Sequence, residues 1–223
     1  MDTFLHLMNG GAGNLAAYLA AHVLLCLVPA FFIAGAMAAL IPKPSITRWL
    51  GRSVLRLGGW RVVGELPDLP KLVLIAAPHS SNWDGIWGFA AKMALGFEVK
   101  VLGKAQLFWW PLGPLLRKLG VIPIDRSSAQ GTVEQAVEMI RRSERIWYAL
   151  TPEGTRKRVE RWKTSFWKIA HDAQVPILPA YFHYPEKVMG IGAPFHTTGD
   201  MHADMRALRT WYRPWQGKNR GTA

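Results

Sequence analysis

Cysteine is almost missing from this sequence: Cys26 is the one copy in 223 residues. A lone cysteine excludes an internal disulfide and any zinc site built on thiolates, and it sits easily with a reducing, cytosolic setting. Positive charge is missing from the start of the chain. Residues 1–42 hold no lysine or arginine, so all 27 basic side chains lie beyond them. The whole chain carries a net charge of +12 and a pI of about 10.2. Such a balance suits nucleic acid, anionic lipid or acidic small substrates. A soluble nucleic-acid binder has no need of so one-sided a distribution, and nucleic acid is set aside as a partner. Three chemical signatures are absent too. There is no Gly-x-Ser-x-Gly elbow of a serine hydrolase, no phosphate-cradling Gly-x4-Gly-Lys loop, and no pair of histidines at zinc-site spacing, so no metal is expected.

What is present begins with an apolar run. From Leu15 to Ile41 no residue is formally charged, and the run exceeds the roughly 20 residues that a membrane-spanning helix needs. The length of the run together with its lack of any polar face argues against a core helix of a domain this size. A cleaved signal peptide would want a basic leader and a shorter apolar stretch. Pro29 interrupts the run, so it either crosses once with a bend or dips in and returns. Next come Arg48, Arg52 and Arg56, recurring every fourth residue, with Ile46, Trp49, Leu50, Ser53 and Leu57 elsewhere on the same helical wheel. A basic stripe beside Trp and Leu over 45–57 reads as a helix lying in the headgroup layer; the plainer alternative is a solvated surface helix. Residues 1–58 are therefore read as a membrane anchor and 59–223 as the main domain. The Lys and Arg bias places that domain on the cytoplasmic face of the cell membrane.

Residues 60–223 alternate between strand-like and helix-like runs. Strands are expected at 72–77, 99–102, 121–124, 146–150, 175–182 and 187–191. Helices are expected at 83–95, 131–143, 165–173 and 201–212. This alternation implies an α/β fold, a mixed and largely parallel sheet flanked by helices. Half the residues are apolar, enough for one full core. The tail from Gln216 is polar and reads as frayed. The run Leu107–Leu116 contains Trp109 and Trp110 and reads equally as core packing or as a loop that dips into the membrane interface or lines the acyl chain.

Two segments carry chemistry. In the first, His79 stands just past a strand end, where α/β folds place their sites, and Asp84 follows five residues later. Within one regular helix these side chains would diverge by about 140°. They meet only if His79 is in the loop and Asp84 in the first helical turn, with Ser80, Ser81 or Asn82 as cap. An aspartate on one imidazole nitrogen fixes the tautomer, and the other nitrogen then accepts a proton from a substrate hydroxyl. Taken alone, a capping Asp beside an unrelated His explains the pattern as well. The second segment is Glu153, Gly154, Thr155 and Arg156, followed by Lys157 and Arg158. Gly154 permits a tight turn or close approach of a ligand. Arg156 has the planar fork that grips phosphate. A solvated basic loop is the alternative.

Together and in order, these segments resemble the glycerophospholipid acyltransferase family, which includes lysophosphatidate acyltransferases. Its signature is His-x4-Asp followed some seventy residues later by Glu-Gly-Thr-Arg. Gly120–Arg126 lies between them like the family's second block, and Val175–Pro179 follows like its proline-bearing fourth. Lys104 falls where such enzymes often carry an active-site lysine. The chain departs from the pattern at Pro78, where Asn is frequent, at Lys157, where Ser is usual, and at Thr151, where Phe is common. The resemblance implies an O-acyltransferase with His79 and Asp84 as catalytic pair. Lys104, Arg126, Glu153, Gly154, Thr155 and Arg156 would bind substrate; Arg48, Arg52, Arg56, Trp109 and Trp110 are expected at the membrane from their own basic and aromatic pattern, apart from the resemblance. The resemblance implies no cofactor beyond acyl-CoA or acyl carrier protein as co-substrate, and a lysophospholipid and membrane lipids as partners. Two alternatives stay open: a non-phosphate acceptor, such as an amino-acid-containing lysolipid, and a non-catalytic basic protein bound peripherally to lipid.

Overall fold

The computed structural model describes residues 44–118, 120–124 and 129–219. The apolar run Leu15–Ile41 and Arg126 lie outside them. Among the described residues no helix is long and apolar enough to cross a membrane.

The described chain runs α1 (Pro44–Gly58), β1 (Arg61–Val63), β2 (Lys71–Ala77), α2 (Trp83–Leu95), β3 (Lys100–Lys104), a 3-10 turn (Ala105–Leu107), α3 (Leu112–Lys118), β4 (Val121–Ile124), α4 (Ala129–Arg142), β5 (Ile146–Leu150), α5 (Ser165–Ala173), β6 (Ile177–His183), β7 (Val188–Ile191) and α6 (Met201–Tyr212). The strands form one seven-stranded sheet in the order β1-β7-β6-β2-β5-β3-β4. All neighbours pair in parallel except β6 and β7. The mixed, largely parallel sheet expected from the alternating runs is thus observed.

The central strands are apolar on both faces because both faces are covered. Val73, Ile75 and Ala77 of β2, with Ile146 and Tyr148 of β5, pack under α4, α5 and α6. Leu72 of β2 and Trp147 and Ala149 of β5 face the other way. Tyr212 ends α6 fully buried, with its hydroxyl within hydrogen-bond distance of the Ile75 and Ala180 carbonyls, and so ties that layer to the sheet.

On the other side, α1 packs on α2. The two backbones touch at Gly51, where an added Cβ would lie 2.4 Å from Ala94 N and 2.6 Å from Ala90 O. The small side chains of Ala90, Ala91 and Ala94 make that approach possible, and Leu55 is buried beside them. Helix α1 therefore belongs to the compact unit that begins at Lys43. Helix α2 ends at Gly96, whose left-handed φ of 74° lets its N–H return to the Lys92 carbonyl.

Two expectations need correction. The stretch 107–116 is not one loop: it contributes part of a 3-10 turn and the start of α3, which opens just after Pro111, a residue suited to a helix start. Phe108 there is partly covered, with the Arg117 guanidinium over its ring, while Trp109 and Trp110 stay exposed. The tail beyond Gln216 is also not frayed as far as Asn219. Trp215 stacks on Tyr181 with ring centroids 3.6 Å apart, and Gln216 and Asn219 hydrogen-bond to the body of the protein.

Candidate active site

The parallel strands β6, β2, β5 and β3 lie side by side, and their carboxyl ends open on one edge of the sheet. Across that edge stand Tyr184 after β6, His79 after β2, Glu153 to Arg156 after β5, and Lys104 as the last residue of β3. Residues distant in sequence converge there because the sheet order brings their strands together.

His79 lies in the loop and Asp84 in the first turn of α2, the arrangement the spacing demanded. His79 Nδ1 is 3.1 Å from Asp84 Oδ2. The same oxygen accepts the N–H groups of Ser80 at 2.8 Å and Ser81 at 2.9 Å. The second carboxylate oxygen, Oδ1, accepts the hydroxyl of Tyr184. The expected cap is shared differently from the simple picture. Ser81 Oγ accepts from Trp83 N at 3.2 Å, Asn82 makes no side-chain cap bond, and Asp84 itself gathers the loop's amides.

Asp84 is buried. Burial pushes its carboxyl up, but the hydrogen bonds from His79, Tyr184, Ser81 and Ser80 together hold it below the ordinary aspartate value. It is thus ionised at neutral pH. Burial, and then the bond and charge of Asp84, raise the Tyr184 phenol far above its usual range, so its hydroxyl remains a donor. A fixed carboxylate on Nδ1 holds the imidazole with that nitrogen protonated, and Nε2 is then the proton-accepting atom. The His79 side chain is 24% exposed, which leaves the ring open to an approaching substrate.

The second segment is joined to the first. Glu153 is buried, and its Oε1 accepts the N–H of His79 at 2.8 Å. The carboxylate therefore braces the histidine loop from below. Gly154 turns the chain at φ +66°, a left-handed conformation that favours glycine. Lys163 lies across it: a Cβ on Gly154 would meet Lys163 Cε at 2.7 Å and Nζ at 3.0 Å. Arg156, Lys157 and Arg158 are exposed beyond the turn. Thr155 Oγ1 accepts from Lys157 N at 3.2 Å. The structure thus brings His79, Asp84, Glu153 and Gly154 together and sets Arg156 outward beside them. Among the described residues no cluster of His, Cys, Asp or Glu could hold a metal ion.

Sequence reasoning missed Tyr184 and Lys163. Tyr184 stands just past β6, the strand that begins within the Val175–Pro179 block, and only the neighbour relation of β6 to β2 marks it out. Lys163 is one cation among many in a basic stretch, and its place beside Gly154 shows only in the fold, where its N–H also donates to the Pro152 carbonyl at 2.8 Å.

An α/β domain with a buried carboxylate bonded to a partly exposed imidazole at the carboxyl edge of its sheet is the class that fold and site define. Residues 62–183, more than half of the chain, match the family model described as acyltransferase, and the chain belongs to that family. The fold is similar to the crystal structure of PlsC, the 1-acyl-sn-glycerophosphate (LPA) acyltransferase from Thermotoga maritima. The TM-score is 0.54 at 16% identity, over 90% of this chain and 95% of that one. At that identity the likeness establishes the fold. No curated protein matches the sequence.

Proposed function

We propose that this acyltransferase moves a fatty acyl group from acyl-CoA or acyl carrier protein onto the hydroxyl of a lysophospholipid such as lysophosphatidate. The observation that carries the reading is the His79–Asp84 pair, with Asp84 held by Ser80, Ser81 and Tyr184 as well. His79 Nε2 takes the proton of the acceptor hydroxyl. The oxygen attacks the thioester carbonyl carbon, and the negative charge moves to the carbonyl oxygen. Backbone amides near Gly154 or Lys104 steady that oxyanion. On collapse the C–S bond breaks, and the departing thiolate takes the proton from the imidazolium. The products are an ester and a free thiol, and no further cofactor enters the balance. Arg156, aided by Arg126 and by Lys163 across Gly154, grips the acceptor's phosphate.

We further propose the cytoplasmic face of the cell membrane as the setting, because every Lys and Arg lies beyond residue 42. Helix α1 has three faces. Gly51 and Leu55 point into the protein. Arg48, Arg52 and Arg56 form an exposed basic face. Ile46, Trp49, Leu50, Val54 and Leu57 form an exposed apolar one, with Trp49 at 65% and Leu57 at 89% exposure. An apolar face turned away from the core beside a cationic one matches a headgroup-layer helix. Trp109 and Trp110 add exposed aromatics of the kind found at membrane interfaces. Lysolipid and product would both stay in the bilayer.

The test is lipid mass spectrometry after incubation of the full chain with paired acyl donors and a panel of lysolipids, with thiol release measured in parallel. Acyl transfer to a phosphate-bearing lysolipid, with equal thiol release, is expected. Transfer only to amino-acid-containing lysolipids would reassign the acceptor. No transfer from either donor would overturn the reading.

A further inference from the structure

The last described residues form a strap behind the catalytic loop. Asn219 donates its side-chain Nδ2 to the Ser80 carbonyl at 3.0 Å, and its backbone N–H reaches Ser80 Oγ at 3.4 Å. Ser80 is buried, and its own N–H donates to Asp84 Oδ2. One residue thus separates the strap from one oxygen of the aspartate. The strap reaches the other oxygen by a second route. The Gln216 carbonyl accepts the N–H of Tyr184 at 2.9 Å, and the Tyr184 hydroxyl donates to Asp84 Oδ1.

The strap is fitted to the loop rather than merely lying near it. Gly217 is buried, and a Cβ there would meet Ser80 Oγ at 2.5 Å and Pro78 Cβ at 3.3 Å. Lys218 places its ammonium 5.0 Å from the centre of the Trp83 ring, the residue just before Asp84. Gln216 N donates to His183 Nδ1 at 3.1 Å. Trp215 anchors the start of the strap by stacking on Tyr181. A loop carrying a reactive histidine has to be held still, and backbone groups at a loop tip have few internal partners of their own.

We infer that the strap Trp215–Asn219 positions the His79–Asp84 pair, with Asn219 as a positioning residue acting through Ser80. The inference rests on reading that pair as the reacting one. It separates holding the loop, which is measured without substrate, from turnover, which is not.

Amide hydrogen exchange of the full chain in detergent micelles reads the first. Asn219→Ala should speed exchange at the Ser80 and Ser81 amides by about tenfold or more and leave the β2 amides unchanged. Acyl-transfer kinetics read the second. Asn219→Ala should lower kcat by about tenfold, with KM for donor and acceptor within about twofold, because the loop is mispositioned but the substrate sites are intact. Asn219→Asp, the same size but with an acceptor facing the Ser80 carbonyl, should do the same. Unchanged exchange in both variants overturns the inference whatever the activity. Faster exchange with an unchanged kcat overturns the positioning role. Faster exchange in a protein whose wild type transfers no acyl group overturns the reading of the pair and supports the hold on the loop.

Discussion

Tyr184 and Asp84 stand 100 residues apart in sequence and share a hydrogen bond at the carboxyl edge of the sheet. The phenol is the sole side-chain hydroxyl on Asp84 Oδ1 among the described bonds, while the other oxygen serves His79 and two loop amides. Tyr184→Phe removes that donor and nothing of the ring, which packs edge-on against Trp60 at 4.9 Å. A hydrogen bond to a charged group contributes about 1.5–3 kcal/mol. The sign with pH follows from Asp84, whose folded value lies below the ordinary one. Its stabilisation is full above the unfolded aspartate value, about 3.9, and is lost as pH falls through the folded value. Denaturant melts should therefore show the whole deficit of Tyr184→Phe at neutral pH and a shrinking one below about pH 4. A deficit independent of pH would mean the hydroxyl does not act on the ionised carboxylate.

His79→Ala should lower acyl transfer by a factor of about 100 to 10,000 and leave the fold intact. The ring is partly exposed, and the neighbouring bond to Glu153 comes from the backbone N–H, which alanine keeps. Asp84→Asn should be nearly as damaging. Its amide can still accept from Ser80 or Ser81 but loses the charge that steadies an imidazolium. Circular dichroism beside initial rates checks both. Wild-type rates in a folded His79→Ala protein would remove His79 from the chemistry.

Much of the domain was legible because its signals are local. Trp83–Leu95, Val121–Ile124, Ile146–Leu150, Ser165–Ala173 and Met201–Tyr212 are bounded by turn residues or charge, and the observed elements have those bounds. The His79–Asp84 meeting was legible because only a loop-then-helix geometry closes a five-residue gap. What was missed is non-local. Strand β1 has three residues and takes its existence from β7, far along the chain. Tyr184 reaches the site through the order of strands, which hydrophobic patterning does not encode. The strap looks frayed by composition, since a polar stretch gives no sign of specific partners such as Ser80.

Gly154→Ala should slow the enzyme more than it unfolds it. A left-handed residue with a Cβ costs roughly 1–2 kcal/mol. The collision is with the far end of Lys163, a flexible side chain that can swing away. Thermal melts should thus fall by a few degrees on the scale that about 1 kcal/mol sets for a chain of this size. Displacing Lys163 from the turn should raise KM for a phosphate-bearing acceptor. Lys163→Ala should raise the same KM without the loss of stability. An unchanged KM in both variants would place the lysine outside the acceptor's reach.

The structure also changes where the protein should be divided to test its hold on membranes. A cut near Gly59 would strip α1 from α2 and bare Ala90, Ala91 and Ala94, so loss of function would report unfolding. A variant beginning at Lys43 keeps the compact unit. The full chain carries the apolar run Leu15–Ile41 and should stay in the membrane pellet at high salt, leaving only with detergent. The Lys43 variant should bind vesicles containing anionic lipid through α1 alone. Each basic residue near such a surface contributes about 1 kcal/mol, screened by salt, so Arg48, Arg52 and Arg56 should make its binding salt-sensitive. Trp49 and Leu57 are largely exposed. Replacing both with Ser should therefore cut vesicle binding of the Lys43 variant without moving its melting temperature. Vesicle co-sedimentation across a salt series, with melts alongside, decides it. Release of the full chain by salt alone would show that residues 1–42 do not anchor it. Undiminished binding of the Trp49 and Leu57 double variant would show that α1 does not meet the lipid with its apolar face.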